Sequence, residues 1–168
     1  MHKDFIDALK PITIIASTVL ALDQIIKLYV QATFSALTQE IVIPGFFNLV
    51  YVLNKGAAFG ILNREDINWQ AYFFIAVSLV AILIILYMVY SINERDKFFL
   101  FGMGAILGGA LGNLVDRVRL GMVIDYLDFY FKSFHWPAFN IADTAITLGA
   151  ISLLISFFKK EKNASNTD

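Results

Sequence analysis

Four apolar runs, each long enough to cross a bilayer as a helix, decide what this chain can be. They fall at about residues 12–29, 71–90, 98–118 and 141–158, and about 20 helical residues cross the hydrocarbon. In the second run Ser78 is the only polar residue apart from tyrosine hydroxyls. Between the second and third runs, Asn93-Glu94-Arg95-Asp96-Lys97 is short and polar throughout, the composition of a tight aqueous hairpin. Apolar residues make up 58% of the 168 and charged ones 16%, against roughly 45–50% and about 25% in soluble domains. A core of this size cannot absorb the excess. The expectation is a single membrane domain over residues 1–168, with an all-α core of four transmembrane helices. The first run carries Asp23 and Lys27 and is followed by no A-x-A-like cleavage site, so it reads as a retained span rather than a leader.

Four spans place both termini on one side. The termini and the 93–97 turn hold seven Lys and Arg, and the other two connections hold five. That bias puts the termini in the cytoplasm. The long outer connection contains IVIPGFFNLVYVLNKGAAFGIL, residues 41–62, which is β-branched and aromatic with breaks at Pro44-Gly45 and Lys55-Gly56. It reads as two or three short strands, a small extracytoplasmic β element between the first two helices. Bare strand edges are not tolerated in hydrocarbon, so this element belongs at the headgroup level. Trp69, Tyr72 and Trp136 flank the spans as interface aromatics do.

Several function classes fall away. The chain has no cysteine, which removes disulfides, thiolate metal sites and a cysteine nucleophile. Its two histidines, His2 and His135, form no HExxH motif. A net charge of −1 gives no electrostatic case for nucleic acid. No serine lies near Lys27 at helical spacing, which disfavours serine–lysine chemistry.

The polar residues inside the spans need reasons. Asp23 and Lys27 are four apart, on one helical face, with Gln24 beside them. A structural ion pair and a functional pair are both open readings. In the third run Gly104, Gly108 and Gly112 form a bare stripe suited to close helix packing. Gly109, Asn113 and Arg117 form the adjoining stripe. Asp116 is placed to hold Arg117 or to cap the helix end, and Arg117 is either a site residue or a snorkelling anchor.

Two further acids complete the pattern. Asp125 lies in VIDYLDFY, an extended or partly helical interface segment, with Asp128 as a near neighbour. Asp143 follows Asn140 by three residues, so Asn140 as N-cap puts Asp143 at N3, where a helix favours a carboxylate. One acid just after the third span and one at the start of the fourth can meet at the same depth. Two carboxyls meeting at a partly buried site share a proton and activate a water between them, which is aspartyl protease chemistry and needs no metal or cofactor. Spacing alone leaves this weak.

Five blocks in order strengthen it: DQIIK at 23–27, NKGAAFGI at 54–61, GGALGNLVDR at 108–117, VIDYLDF at 123–129 and FNIADTAI at 139–146. With them the chain resembles the lipoprotein signal peptidases (signal peptidase II), bacterial membrane aspartyl proteases. The resemblance implies residence in the bacterial cytoplasmic (inner) membrane with the active site near the outer leaflet. It also implies prolipoprotein substrates bearing a diacylglyceryl cysteine, cut on the N-terminal side of that cysteine, and inhibition by globomycin. It makes Asp125 and Asp143 the catalytic pair, with Asn54, Gly56, Asn113, Arg117 and Asn140 at substrate-contacting positions. Asp23, Lys27 and Asp116 would then be supports. The competing classes are an ion or proton pathway built on Asp23, Lys27, Asp116 and Asp143, and a pure scaffold.

Overall fold

The structure is a computed structural model and describes residues 2–35, 38–56, 69–91 and 96–165. Within these, four helices are long and apolar enough to cross a membrane. They are α1 (His2–Thr33), α2 (Gln70–Ser91), α3 (Lys97–Leu120) and α4 (Ile141–Ser165). α1 and α4 run well past the expected limits of their apolar runs. At about 1.5 Å per residue α1 is on the order of 48 Å long, so it outreaches the hydrocarbon.

α3 is the central helix and packs against all three others. Its glycines explain how. A Cβ at Gly104 would lie 2.8 Å from the Ile15 side chain, and one at Gly108 would lie 2.7 Å from the Ala16 carbonyl, so this row seats α1. A second row faces α4: a Cβ at Gly102 would meet Leu153 at 2.7 Å, and one at Gly109 would strike the Ala142 carbonyl. Bare backbone on two sides lets two helices approach α3 closely, as tight packing in lipid requires. α2 instead turns most of its surface outward, burying only Gln70, Ser78, Ile85 and Val89, and that apolar exposure suits a lipid-facing helix.

Both ends of α3 are capped. The Asp96 side chain accepts from Phe99 N at 2.8 Å at the start. Gly121, at φ +74°, ends the helix and donates its N–H to the Arg117 carbonyl, a left-handed cap that a side chain would strain. The chain then leaves in a new direction as a strand.

That strand alters the expected β element. A four-stranded antiparallel sheet runs in the order β1 (Gln39–Ile43), β2 (Phe47–Asn54), β3 (Val123–Phe131) and β4 (Phe134–His135). The stretch VIDYLDFY is therefore β3, paired with β2 from Phe47↔Phe129 to Asn54↔Val123. The α1–α2 and α3–α4 connections contribute to one sheet, in which β2 supplies the backbone partners of β3. Residues 57–62, the rest of the expected β element, lie outside the described residues. Val30 of α1 packs under this sheet with Ile124 and Tyr126, while Ala8, Ile12, Ile85, Val89, Phe99 and Met103 knit α1, α2 and α3 near their other ends.

Candidate active site

A cavity of about 480 Å³ opens where α3, α4 and the sheet converge, and Asp125 and Asp143 both line it. Asp125 reaches it from β3 and is 2% exposed. Its Oδ1 accepts from Asn140 Nδ2 at 2.7 Å and its Oδ2 from Asn54 Nδ2 at 3.0 Å. Asn54 is itself fixed, since its Oδ1 accepts from Gly56 N at 2.8 Å and closes a turn at the end of β2. Burial pushes the Asp125 carboxyl up to about 7, and the charge of Asp143 adds to the rise. The two asparagine bonds oppose it without winning.

Asp143 stands in the first turn of α4. Asn140 is the N-cap, its Oδ1 accepting from Asp143 N at 2.9 Å, as the spacing suggests. Asp143 Oδ1 accepts from Asn113 Nδ2 at 2.8 Å. The Asn140 amide lies 3.4 Å from Asn113 Oδ1. The two acids are thus joined from behind by a pair of asparagines, each of which touches one carboxyl directly and the other asparagine.

The remaining N–H groups at the start of α4 are also satisfied by distant side chains. Ile141 N donates to the Tyr126 hydroxyl at 3.1 Å and Ala142 N to Asp23 Oδ1 at 3.1 Å. A helix start buried without such partners would be costly. Here α1 and β3 supply them, and the position of Asp143 is set by three separate elements.

Beneath the cavity lies a closed ionic cluster. Lys27 Nζ contacts Asp23 Oδ2 at 2.8 Å, Asp116 Oδ2 at 2.7 Å and Asn113 Oδ1 at 3.1 Å. An ammonium has three donors, and all three are used. Lys27, Asp23 and Asp116 are wholly buried. Gln24 Nε2 bonds Asp116 Oδ1 at 3.1 Å and the Gly112 carbonyl at 3.1 Å, and Asp116 Oδ2 accepts from Ile124 N at 3.2 Å. Asp116 therefore neither holds Arg117 nor caps α3: the helix turn points it at α1, where it is the second carboxylate on the buried Lys27 ammonium. The line Lys27–Asn113–Asp143 connects this cluster to the cavity.

Arg117 lines the cavity mouth with Asn54, Gly56 and Asn113. Its guanidinium carbon sits 5.0 Å from the centre of the Phe74 ring, and one nitrogen donates to the Gly56 carbonyl at 3.4 Å. It bridges α2, α3 and the end of β2 and does not snorkel. Asn140, read from the sequence as a substrate contact, is wholly buried behind the carboxyls. Its amide donates to Asp125 and to the Ile124 carbonyl, and its carbonyl oxygen accepts from the Asp143 N–H, which ties it to β3 and to the start of α4. Trp136, Pro137, Ala138 and Phe139 form a further cavity wall, of which the sequence singled out only Trp136, as an interface aromatic. Ile146 and Leu148 of α4 make the wall apolar on the side of the spans.

The family model for signal peptidase (SPase) II matches residues 15–159. The chain is 52% identical over 148 residues to a lipoprotein signal peptidase of Maridesulfovibrio salexigens, covering 88% of this chain and 95% of that one. It is 47% identical to a lipoprotein signal peptidase of Oleidesulfovibrio alaskensis, over 87% and 93% of the two chains. Among solved structures it is similar to a bacterial membrane enzyme determined in meso at 2.3 Å, with a TM-score of 0.79, 31% identity, and coverage of 89% and 88%.

Proposed function

Because this chain belongs to the signal peptidase II family, a family of multi-pass membrane enzymes that remove signal peptides from prolipoproteins, we propose that it does so by an aspartyl mechanism. Asp125 and Asp143 hold one water and share one proton. The ionised member takes a proton from the water, whose oxygen attacks the scissile carbonyl carbon. The protonated member donates to the carbonyl oxygen, giving a gem-diol. Collapse breaks the C–N bond: the leaving amine takes the proton held by the dyad, and a gem-diol hydroxyl gives its proton to the other carboxylate, which restores the shared proton. The cut falls on the N-terminal side of the diacylglyceryl cysteine. A lipid-anchored substrate keeps that bond at the headgroup level of the outer leaflet, and the termini are cytoplasmic.

The observation that carries this reading is the joint lining of one cavity by a buried acid and a half-buried one, with Asp125 raised to about 7 by burial and by Asp143. That is the range in which a dyad retains one proton near neutral pH. Arg117 and Asn54 line the cavity; on this reading they hold backbone carbonyls of an extended substrate, and globomycin should compete for the same cavity. Asp23, Lys27 and Asp116 are supports, since each spends its polar atoms on the others and on α4, β3 and Asn113.

The test is cleavage of a synthetic peptide with a diacylglyceryl cysteine by the purified protein, read by mass spectrometry. One product should begin at the lipidated cysteine, and Asp125→Asn and Asp143→Asn should each produce none. Cleavage at another bond, or unimpaired cleavage by either variant, would refute the assignment.

A further inference from the structure

A second polar cluster stands outside the machinery described so far. Asp128, three residues beyond Asp125 on β3, is 6% exposed. Its Oδ2 accepts from Asn48 Nδ2 at 2.8 Å, and His135 Nδ1 lies 2.9 Å from both of its oxygens. Asp128 is the acceptor here, so the His135 Nδ1 carries the hydrogen. The imidazole stacks on Tyr130 at 4.9 Å with an interplanar angle of 7°, and the Tyr130 hydroxyl accepts from Gly45 N at 2.8 Å. Asn48 is wholly buried, and its Oδ1 has no partner. Burying an amide with half its capacity unmet is costly, so Asn48 is committed to holding Asp128.

The cluster has a direct line to the cavity. His135 is the last residue of β4, and Trp136–Phe139, the cavity wall, follows it at once. Backbone bonds anchor that wall at its two ends: Trp136 N donates to the Phe129 carbonyl at 2.8 Å, Phe139 N to the Leu127 carbonyl at 3.1 Å, and the Phe139 carbonyl accepts from Tyr126 N at 3.0 Å and Leu127 N at 2.9 Å. Pro137 between them has no N–H to give. The turn leading into β4 places Lys132 at φ +56°, a conformation that a residue with a Cβ adopts at a cost. Both residues of β4 pair with β3, Phe134 with Phe131 and His135 with Tyr130, and the His135 side chain adds a second tie to the same strand.

We propose that His135 is a positioning residue for substrate binding. Its hydrogen bond to Asp128 fixes β4, and β4 fixes the Trp136–Phe139 wall against the substrate residues flanking the scissile bond. This rests on the reading of the cavity as the peptidase site. It separates from the chemistry, because Asp125 and Asp143 are held by Asn54, Asn113 and Asn140 and by none of these residues.

The experiment measures kcat and KM on the diacylglyceryl-cysteine peptide for the full chain in nanodiscs, with His135→Phe, His135→Asn and His135→Gln. Phe keeps the stacking and loses the donor. Asn carries its amide nitrogen at the same bond distance from Cβ as Nδ1, and Gln carries it one methylene further. His135→Phe should raise KM about tenfold, the equivalent of one hydrogen bond, with kcat within about twofold. His135→Asn should recover most of the KM, and His135→Gln should not. An unchanged KM in His135→Phe, a loss confined to kcat, or equal KM values for Asn and Gln would overturn the proposal. Should His135→Phe fail to fold, the Asn and Gln pair decides it. Asp143→Asn in the same assay separates the two readings: wild-type cleavage by that variant would sink the peptidase site, whatever His135 does.

Discussion

Asn140 donates to Asp125 across 2.7 Å while its carbonyl oxygen caps the helix that carries Asp143. One buried side chain thereby sets the position of both acids. These duties are separable by substitution. Asn140→Ser keeps a capping oxygen but is too short to reach Asp125. Asn140→Ala loses the cap as well, worth about 0.5–2 kcal/mol. Thermal unfolding in detergent should rank wild type and Ser close together and Ala lower. Cleavage should fall at least about 100-fold in both variants, since misplacing a catalytic group by about 1 Å is enough for that loss. Full activity in Asn140→Ser would show that the Asp125 bond is dispensable.

The pH dependence follows from Asp125. Its carboxyl is raised from 3.8 to about 7 in the folded protein, first by burial and then by the Asp143 charge. A raised carboxyl means that the native state binds the proton more tightly than the unfolded chain does. Its contribution to stability is therefore complete below pH 3.8 and is lost as pH rises through about 7. Wild type should lose stability relative to Asp125→Asn over that window. The rate kcat/KM should fall on the alkaline side of about 7, where the shared proton leaves the dyad, and again in acid, where both members are protonated. A flat profile would argue against a shared proton.

How much of this was legible in the sequence depended on whether the signal was local. The four apolar runs, the glycine stripe and the Asn140 cap each follow from spacing within one helix, and each is present. What spacing cannot express is a partner on another element. Asp116 stands next to Arg117 in sequence, yet the helix turns it toward Lys27 of α1. The alternation Val123, Asp125, Leu127 leaves VIDYLDFY extended or partly helical; that it is a strand depends on its pairing with β2, a partner on another element. The burial of Asn140 was equally illegible, because a motif position says nothing about depth. Trp136, read as an interface aromatic, is half exposed, and its further place in the cavity wall depends on the β3–β4 turn.

Lys27 is the centre of the buried ionic cluster, and its removal leaves Asp23 and Asp116 without a counter-charge. Lys27→Met should destabilise the protein by about 3–5 kcal/mol, the usual cost of breaking a buried pair from one side. Adding Asp116→Asn to that variant should recover part of the loss, because one orphaned charge is then gone. Urea or thermal unfolding of the purified variants measures both, and a wild-type midpoint in Lys27→Met would show the cluster to be unimportant.

The two glycine rows of α3 should behave differently. A methyl at Gly109 would strike the Ala142 carbonyl, which is backbone of the turn bearing Asp143. A methyl at Gly104 would meet the Ile15 side chain at 2.8 Å, far from the cavity. Gly109→Ala should therefore cut cleavage by at least about tenfold through displacement of Asp143. Gly104→Ala should lower thermal stability by about 1–3 kcal/mol, the ordinary cost of overpacking, with kcat nearly unchanged. Equal effects on cleavage would mean that α4 is not held in register by Gly109.

The most direct measurement is single-turnover cleavage of a lipidated precursor by Asp125→Asn, Asp143→Asn and the double variant, each shown by unfolding to be as well folded as wild type. Two acids acting as one dyad should give a loss of at least about 1,000-fold in either single variant and no further loss in the double, since members of a catalytic unit are strongly non-additive. Wild-type cleavage by either single variant, or losses that multiply in the double, would contradict a shared water between Asp125 and Asp143.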